Sequence, residues 1–229
     1  MKHLNSALLT ASVGLALSGL PSHAAPIAGY FQTNLVSNLS TVGAEVVDLN
    51  LQNPWGVSES SSSPLWVSDQ AAGVATLYTI HGVTATQAPS STSPLVVTIP
   101  TTASGPQGPT GQVNNSNTSS FIVSQTPTPA AAHFIFANLN GTISAWNGTG
   151  TTAFIEATTA GASYTGLAIN QAQTQLYAAN NVVGGGINVF NSSFAPVTLP
   201  ATPTGLAFAA PAVATGLVPF NVQDIGGMV

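Results

Sequence analysis

Three oxygen-bearing side chains stand at matching places along this chain. Asp69, Asn138 and Asn180 each close a short run of apolar, aromatic or β-branched residues: Leu65-Trp66-Val67-Ser68-Asp69, Phe134-Ile135-Phe136-Ala137-Asn138 and Leu176-Tyr177-Ala178-Ala179-Asn180. Carboxylate and amide oxygens are hard donors, so three of them converging on an axis would suit a divalent cation such as Ca, which could activate water for hydrolysis. The same residue types open turns by hydrogen-bonding their own backbone, and a single carboxylate is little charge for a divalent ion. The turn role is favoured, with a metal-dependent hydrolase as the alternative.

Other chemistry is thinly represented. His81 and His133 lie at strand ends without an H-x-x-H or H-E-x-x-H spacing, so neither reads as a metal ligand or general base. No G-x-S-x-G elbow is present, and Gly184-Gly185-Gly186 lacks the following Lys and helix of a phosphate loop. Glu45, Asp48 and Glu156 are far apart in sequence, with no spacing that groups them with Asp69. No residue is assigned as catalytic, no metal ligand is assigned, and a non-catalytic role is favoured.

Charge excludes more than motifs do. One Lys, no Arg and six acids make only 3% charged residues among 229, far under the usual level of about 25%. Nucleic acid and anionic lipid require Lys or Arg to displace counterions, and Lys2 is the single such residue. An extracellular glycan or protein remains the expected kind of ligand.

The elements that must position these residues are strands. Gly and Pro are abundant at 22 and 16, helix formers such as Glu, Lys and Arg are scarce, and no long window shows a 3.6-residue apolar period. Each of the three runs is followed by Gly (Gly73; Gly141; Gly184 to Gly186) and then by a second strand ending on an aromatic: Tyr78, Trp146 or Phe190. Asp or Asn followed by Gly supplies the turn of a hairpin. Before each hairpin stands a leading strand, Asn53-Pro54-Trp55-Gly56-Val57, Gly108-Pro109-Thr110-Gly111-Gln112-Val113 or Tyr164-Thr165-Gly166-Leu167-Ala168-Ile169, and a fourth follows at Val218-Pro219-Phe220-Asn221-Val222. Asn138 follows Asp69 by 69 residues and Asn180 follows Asn138 by 42, so the first interval carries an insertion, seen in the Pro/Ser/Thr/Gly-rich stretches 88–93, 100–109 and 125–132. The expected fold is all-β, a β-propeller of four-stranded blades over 25–229, with about four blades and the last one cut at Met228-Val229. Trp55, Trp66 and Trp146 are expected to pack between blades.

Residues 1–24 read as a secretory signal peptide: a basic start at Lys2, an apolar run from Ala7 to Leu20, and Pro21-Ser22-His23-Ala24 before the cleavage point. The run is too short and too interrupted by Thr10, Ser12 and Ser18 to span a bilayer, so the mature chain is expected outside the cell without a membrane span. With no cysteine, it must fold by packing alone. Ser, Thr, Asn and Gln must keep it soluble, and six sequons offer N-glycosylation at Asn38, Asn114, Asn117, Asn140, Asn147 and Asn191.

Several segments carry a joint resemblance: Tyr30-Phe31-Gln32-Thr33-Asn34-Leu35-Val36-Ser37, Asn53-Pro54-Trp55-Gly56, Trp66-Val67-Ser68-Asp69, Leu95-Val96-Val97-Thr98-Ile99-Pro100, Gly141-Thr142-Ile143-Ser144-Ala145-Trp146-Asn147 and Pro219-Phe220-Asn221-Val222-Gln223. In this order they resemble a family of secreted NHL-like or SMP-30-like β-propellers without an established activity, many bacterial members of which end in a PEP-CTERM sorting tail. The resemblance implies a secreted propeller and gives no reaction. The residues favour a binding or surface-matrix module, with a lactonase or hydrolase of SMP-30-like type holding an axial cation as the alternative, for which Asp69, Asn138 and Asn180 are the candidates.

Overall fold

The computed structural model describes residues 31–102, 105–202, 205–206, 208 and 216–229; the leader expected at 1–24 lies outside them. The chain divides into Met1–Gln32, of which only Phe31 and Gln32 are described, and Thr33–Val229, to which all that follows refers. Among the described residues no helix is long and apolar enough to cross a membrane.

The chain is all-β. Strands β1 (Val36–Ser37) and β2 (Val46–Val47) pair in parallel around a single 3-10 turn at Ser40–Val42. A first antiparallel sheet follows, built from β3 (Pro54–Ser58), β4 (Leu65–Asp69), β5 (Val74–His81) and β6 (Thr84–Gln87) in that order. Strand β7 (Val96–Thr98) also pairs with β5, along Val74–Thr76, while β6 takes Tyr78–His81. The second sheet begins with β8 (Pro109–Asn114), is interrupted by the hairpin β9 (Ile122–Val123) and β10 (Ala130–Ala131), and continues with β11 (Phe134–Asn138), β12 (Thr142–Trp146) and β13 (Phe154–Thr158). Its spatial order is β8-β11-β12-β13. The third sheet, β14 (Tyr164–Ile169), β15 (Gln175–Asn180), β16 (Ile187–Asn191) and β17 (Pro196–Val197), is again a meander, and a short hairpin, β18 (Ala201–Thr202) with β19 (Gly205–Leu206), follows it.

Local chemistry explains the hairpins. At the β4–β5 turn Gly73 takes φ 70 and donates its N–H to Asp69 O at 2.9 Å; at the β11–β12 turn Gly141 takes φ 76 and donates to Asn138 O at 3.1 Å. Left-handed backbone of this kind favours glycine, which has no Cβ to clash.

Two seams form the core. In the first, Trp66, Ala75 and Leu77 of the first sheet meet Phe134, Phe136 and Trp146 of the second, with Trp66 stacked on Phe134 at a centroid distance of 4.2 Å. In the second, Ile135, Ala137, Ile143 and Ala145 meet Tyr164, Leu167, Leu176, Ala178 and Phe190 of the third sheet. Successive side chains on a strand point to opposite faces, so Phe134 and Phe136 fill one seam and Ile135 and Ala137 the other. That is why all five residues of β11 are buried and its sequence runs almost continuously apolar. The third sheet's other face, with Ala168, Tyr177, Val189 and Val197, packs against Leu199, Val222 and Val229.

The leading strands pack in sequence. A Cβ at Gly56 would run into Thr110 O, one at Gly111 into the Gly166–Leu167 backbone, and one at Gly166 into the Asn221 side chain. Gly56 and Gly111 thus admit the next leading strand at backbone range, and Gly166 admits the segment 218–222, which was expected as a fourth leading strand but forms no strand. Thr110 Oγ1 donates to Tyr164 O at 2.7 Å, and Thr165 Oγ1 donates to Phe220 O at 2.6 Å. At the chain end Met228 bridges to Ile225 across Gly226 and Gly227.

Candidate functional site

The three strand-end oxygens are buried, and their hydrogen bonds stay within their own sheets. Asp69 Oδ2 accepts from Thr76 Oγ1 at 2.7 Å; Asn138 Nδ2 donates to Thr142 O at 3.3 Å and Ser144 Oγ at 3.4 Å; Asn180 Oδ1 accepts from Ser163 N at 3.0 Å. Asp69 Oδ1 and Asn138 Oδ1 have no hydrogen-bond partner. Among the described residues no group of three or more His, Asp and Glu gathers within reach of a metal ion.

Asp69 has an unusual setting. Burial pushes its carboxyl from 3.8 up to about 7; the Thr76 hydrogen bond opposes this, and the nearby Asp48 adds repulsion. Asp48 is itself buried, with Oδ2 accepting from Tyr78 Oη at 2.9 Å and Gln87 Nε2 at 2.8 Å, and Oδ1 accepting from Asn50 N at 2.9 Å. Burial, and after it the neighbouring acids, drive the Tyr78 phenol well above its usual range. A carboxyl near 7 has the right strength for acid–base work, but Asp69 is 0% exposed and cannot meet a substrate without an opening. Glu156 on β13 is likewise raised to about 7 by burial, against a hydrogen bond from Gln125.

Accessible polar chemistry lies elsewhere. An open pocket of about 560 Å³ is lined by the Ser60 to Ser63 turn, by Asn114 to Thr118, and by Ile122 and Pro129 to Phe134. It contains no Asp, Glu, Lys or Arg. Asn114 Nδ2 donates to His133 O at 3.0 Å and its Oδ1 accepts from Ser116 Oγ at 2.8 Å. Asn117 Nδ2 donates to Ala172 O at 3.2 Å and its Oδ1 accepts from Ser119 N at 3.0 Å. The His133 imidazole is exposed yet placed: it stands edge-on to Trp146 at 6.0 Å, and a Cβ at Gly148 would come within 2.8 Å of its Cε1. A second pocket of about 450 Å³ shares Ser62 and Ser63 and has Glu59 at its wall, and a third of about 260 Å³ lies by Gln70 and Gln107.

Of the residues singled out in the sequence, Trp66 and Trp146 are buried in the first seam as expected. Trp55 is half-buried and stacks at 5.8 Å on Phe220, which is 60% exposed. Trp55 holds the place in its leading strand that Thr110 and Thr165 hold in theirs, and Phe220 the matching place in the strandless segment 218–222. His81 is exposed at the end of β5. The Asn140 and Asn147 amides are buried, donating to Thr102 O at 2.9 Å and Thr126 Oγ1 at 3.2 Å; Asn38, Asn114, Asn117 and Asn191 stand at intermediate exposure. Sequence reasoning named Asp48 but found no reason to group it with Asp69, near which the structure brings it, and passed over Thr76 and Gly148. Asp48 and Thr76 carry no local pattern, whereas Gly148, inside the sequon at Asn147, could have been flagged as a turn glycine.

No family model matches the chain, and no curated protein is significantly similar in sequence. Among solved structures, it is similar to the hydrazine synthase of Kuenenia stuttgartiensis at 14% identity and a TM-score of 0.45, over 74% of this chain and 38% of that one. It is also similar to a Bacteroides fragilis NCTC 9343 protein provisionally assigned as a 6-phosphogluconolactonase, at 13% identity and a TM-score of 0.31, over 68% of this chain and 62% of that one. The chain therefore spans less than two thirds of the length of either.

Proposed function

We propose that this chain is a secreted, non-catalytic β-propeller module that binds an extracellular ligand through polar loops. The propeller is supported by the way the three leading strands pack on one another in succession through Gly56 and Gly111, as strands around a common axis would, with the segment 218–222 following on at Gly166. Binding is carried by one observation: an open pocket of about 560 Å³ sets amides, hydroxyls and one imidazole beside an apolar wall of Ile122, Pro129 and the alanines at 130–132, with no Asp, Glu, Lys or Arg in its lining. Such a lining orients a ligand by hydrogen bonds.

The test follows the full chain through a cell that exports proteins. Mass spectrometry of the exported fraction should find a mature chain beginning at Ala25, and a chain that keeps residues 1–24 in the cytoplasm overturns the secreted role. A second reading, the hydrolase with an axial cation, is favoured by the two unpartnered oxygens, Asp69 Oδ1 and Asn138 Oδ1. Against it, Asn180 Oδ1 is held by Ser163 N. A rise in melting temperature on adding Ca, lost in Asp69→Asn, would move the assignment to that reading.

A further inference from the structure

We propose that the pocket between the Ser60 to Ser63 turn and Asn114 to Thr118 takes a neutral saccharide, an inference that rests on the binding-module reading above. Its volume, about 560 Å³, falls within the roughly 300–1,000 Å³ of small-molecule sites. The ligand class follows from what the wall lacks and from what it leaves unused. An ion entering the pocket loses water, and no Asp, Glu, Lys or Arg in the lining offsets that loss. A wholly apolar ligand would cover the apolar wall of Ile122, Pro129 and the alanines but leave the amides and hydroxyls that it strips of water without partners.

The unused valences are specific. A carboxamide carries two N–H donors and two acceptor lone pairs. Asn114 spends one donor on His133 O and one lone pair on Ser116 Oγ, and Asn117 spends one donor on Ala172 O and one lone pair on Ser119 N. Each amide is therefore fixed at both ends and keeps one N–H and one lone pair, a donor and an acceptor that sugar hydroxyls, each both donor and acceptor, can meet. The side-chain hydroxyls of Ser62 and Thr118 and the ring nitrogens of His133 enter no hydrogen bond among the described residues, yet Trp146 and Gly148 hold the imidazole in place. Ile122, Pro129 and the alanines at 130–132 add small apolar wall suited to the C–H face of a sugar ring. A peptide presents its polar groups in a row along a backbone; here they are side chains gathered around one hollow.

The test uses the protein made in a host that adds no N-glycans, because Asn114 and Asn117 lie in sequons. Maltotriose, cellotriose and tri-N-acetylchitotriose serve as neutral probes, a sulfated heparin trisaccharide as the anionic one, and a blocked tri-alanine as the peptide, all by titration calorimetry. Saturable binding of at least one neutral trisaccharide is expected, weakened about tenfold by Asn117→Ala and by His133→Ala. Ser62→Trp, on an exposed turn, should block binding while the melting temperature stays unchanged. Binding of none of the three, binding that survives Ser62→Trp, or preference for the sulfated probe overturns the assignment. Binding of tri-alanine alone overturns the saccharide and leaves the binding module standing. Failure of export with the sugar still bound does the reverse.

Discussion

The outer face of the first sheet and the seam between the second and third sheets are both buried, but by opposite means. The seam is filled by Ile135, Ala137, Ile143 and Ala145 against Leu167, Leu176, Ala178 and Phe190, with Tyr164 its sole phenol. On the first sheet's outer face Asp69, Thr76 and Tyr78 meet Asp48, which comes from the segment after β2 and is held by Tyr78, Gln87 and Asn50. A sheet covered by another sheet can be sealed by apolar area, whereas one covered by a short segment needs directional bonds to hold it. The difference makes one part of the fold indifferent to pH and the other sensitive to it.

The largest effect should come from breaking a seam. Trp66→Ala removes the ring that stacks on Phe134 at 4.2 Å and lies 5.0 Å from Trp146, and should cost about 3–5 kcal/mol. Denaturant unfolding of the variant measures this, and the loss should be the same at pH 5 and pH 8. A loss that varies with pH would mean the seam is coupled to the buried acids.

Next comes a break in the packing of the leading strands. Gly111→Ala places a methyl group against the Gly166–Leu167 backbone, which cannot swing away as a flexible side chain could, and should cost about 1–3 kcal/mol. Gly150→Ala, whose Cβ would meet nothing within 4 Å but whose φ is 69, separates backbone strain from collision. Equal losses in the two variants would remove the close approach as the reason for glycine at 111.

Much of this arrangement was legible in the sequence, and the limits were physical. Leu65 to Asp69, Phe134 to Asn138 and Leu176 to Asn180 announced themselves because β-branched and aromatic runs ending in Asp or Asn with a later Gly are local signals, and those strands and turns stand where expected. The stretch 125–132, read as loop, contributes Ala130–Ala131 to the hairpin β9–β10, since two alanines carry little strand propensity of their own. Asp48 was visible as an acid, but nothing placed it beside Asp69. Its burial depends on Tyr78, 30 residues on, and Gln87, 39 residues on, and no pattern within a window records that.

A smaller, conditional effect belongs to the acids. Asp69 has a folded value near 7 against 3.8 when unfolded, so the folded state binds more protons, and its contribution to stability is full below pH 4 and lost progressively as pH rises toward 7. Asp69→Asn places there the residue that already closes β11 and β15, keeps an acceptor for Thr76, and should flatten this slope. Glu156 is raised to about 7 as well and slopes the same way, so Glu156→Gln must be compared. Melting temperatures from pH 4 to 8 decide the matter: an Asp69→Asn profile as steep as the parent's would assign the slope to Glu156 and leave the first sheet's face no different from the seam.

The smallest expected effect is that of salt, and it separates the two kinds of burial from ordinary surface electrostatics. Salt acts on exposed charges separated by about a Debye length, roughly 10 Å at 0.1 M, and six acids with one Lys give few such pairs in 229 residues. The one like-charge contact that matters, Asp48 with Asp69, joins two residues that are 3% and 0% exposed, where mobile ions do not reach. Raising salt from low to physiological levels at pH 8 should therefore barely move the melting temperature, even where the acid pair costs most. A clear rise with added NaCl, absent in Asp69→Asn, would show that ions enter the first sheet's outer face and that Asp48 seals it less completely than its hydrogen bonds require.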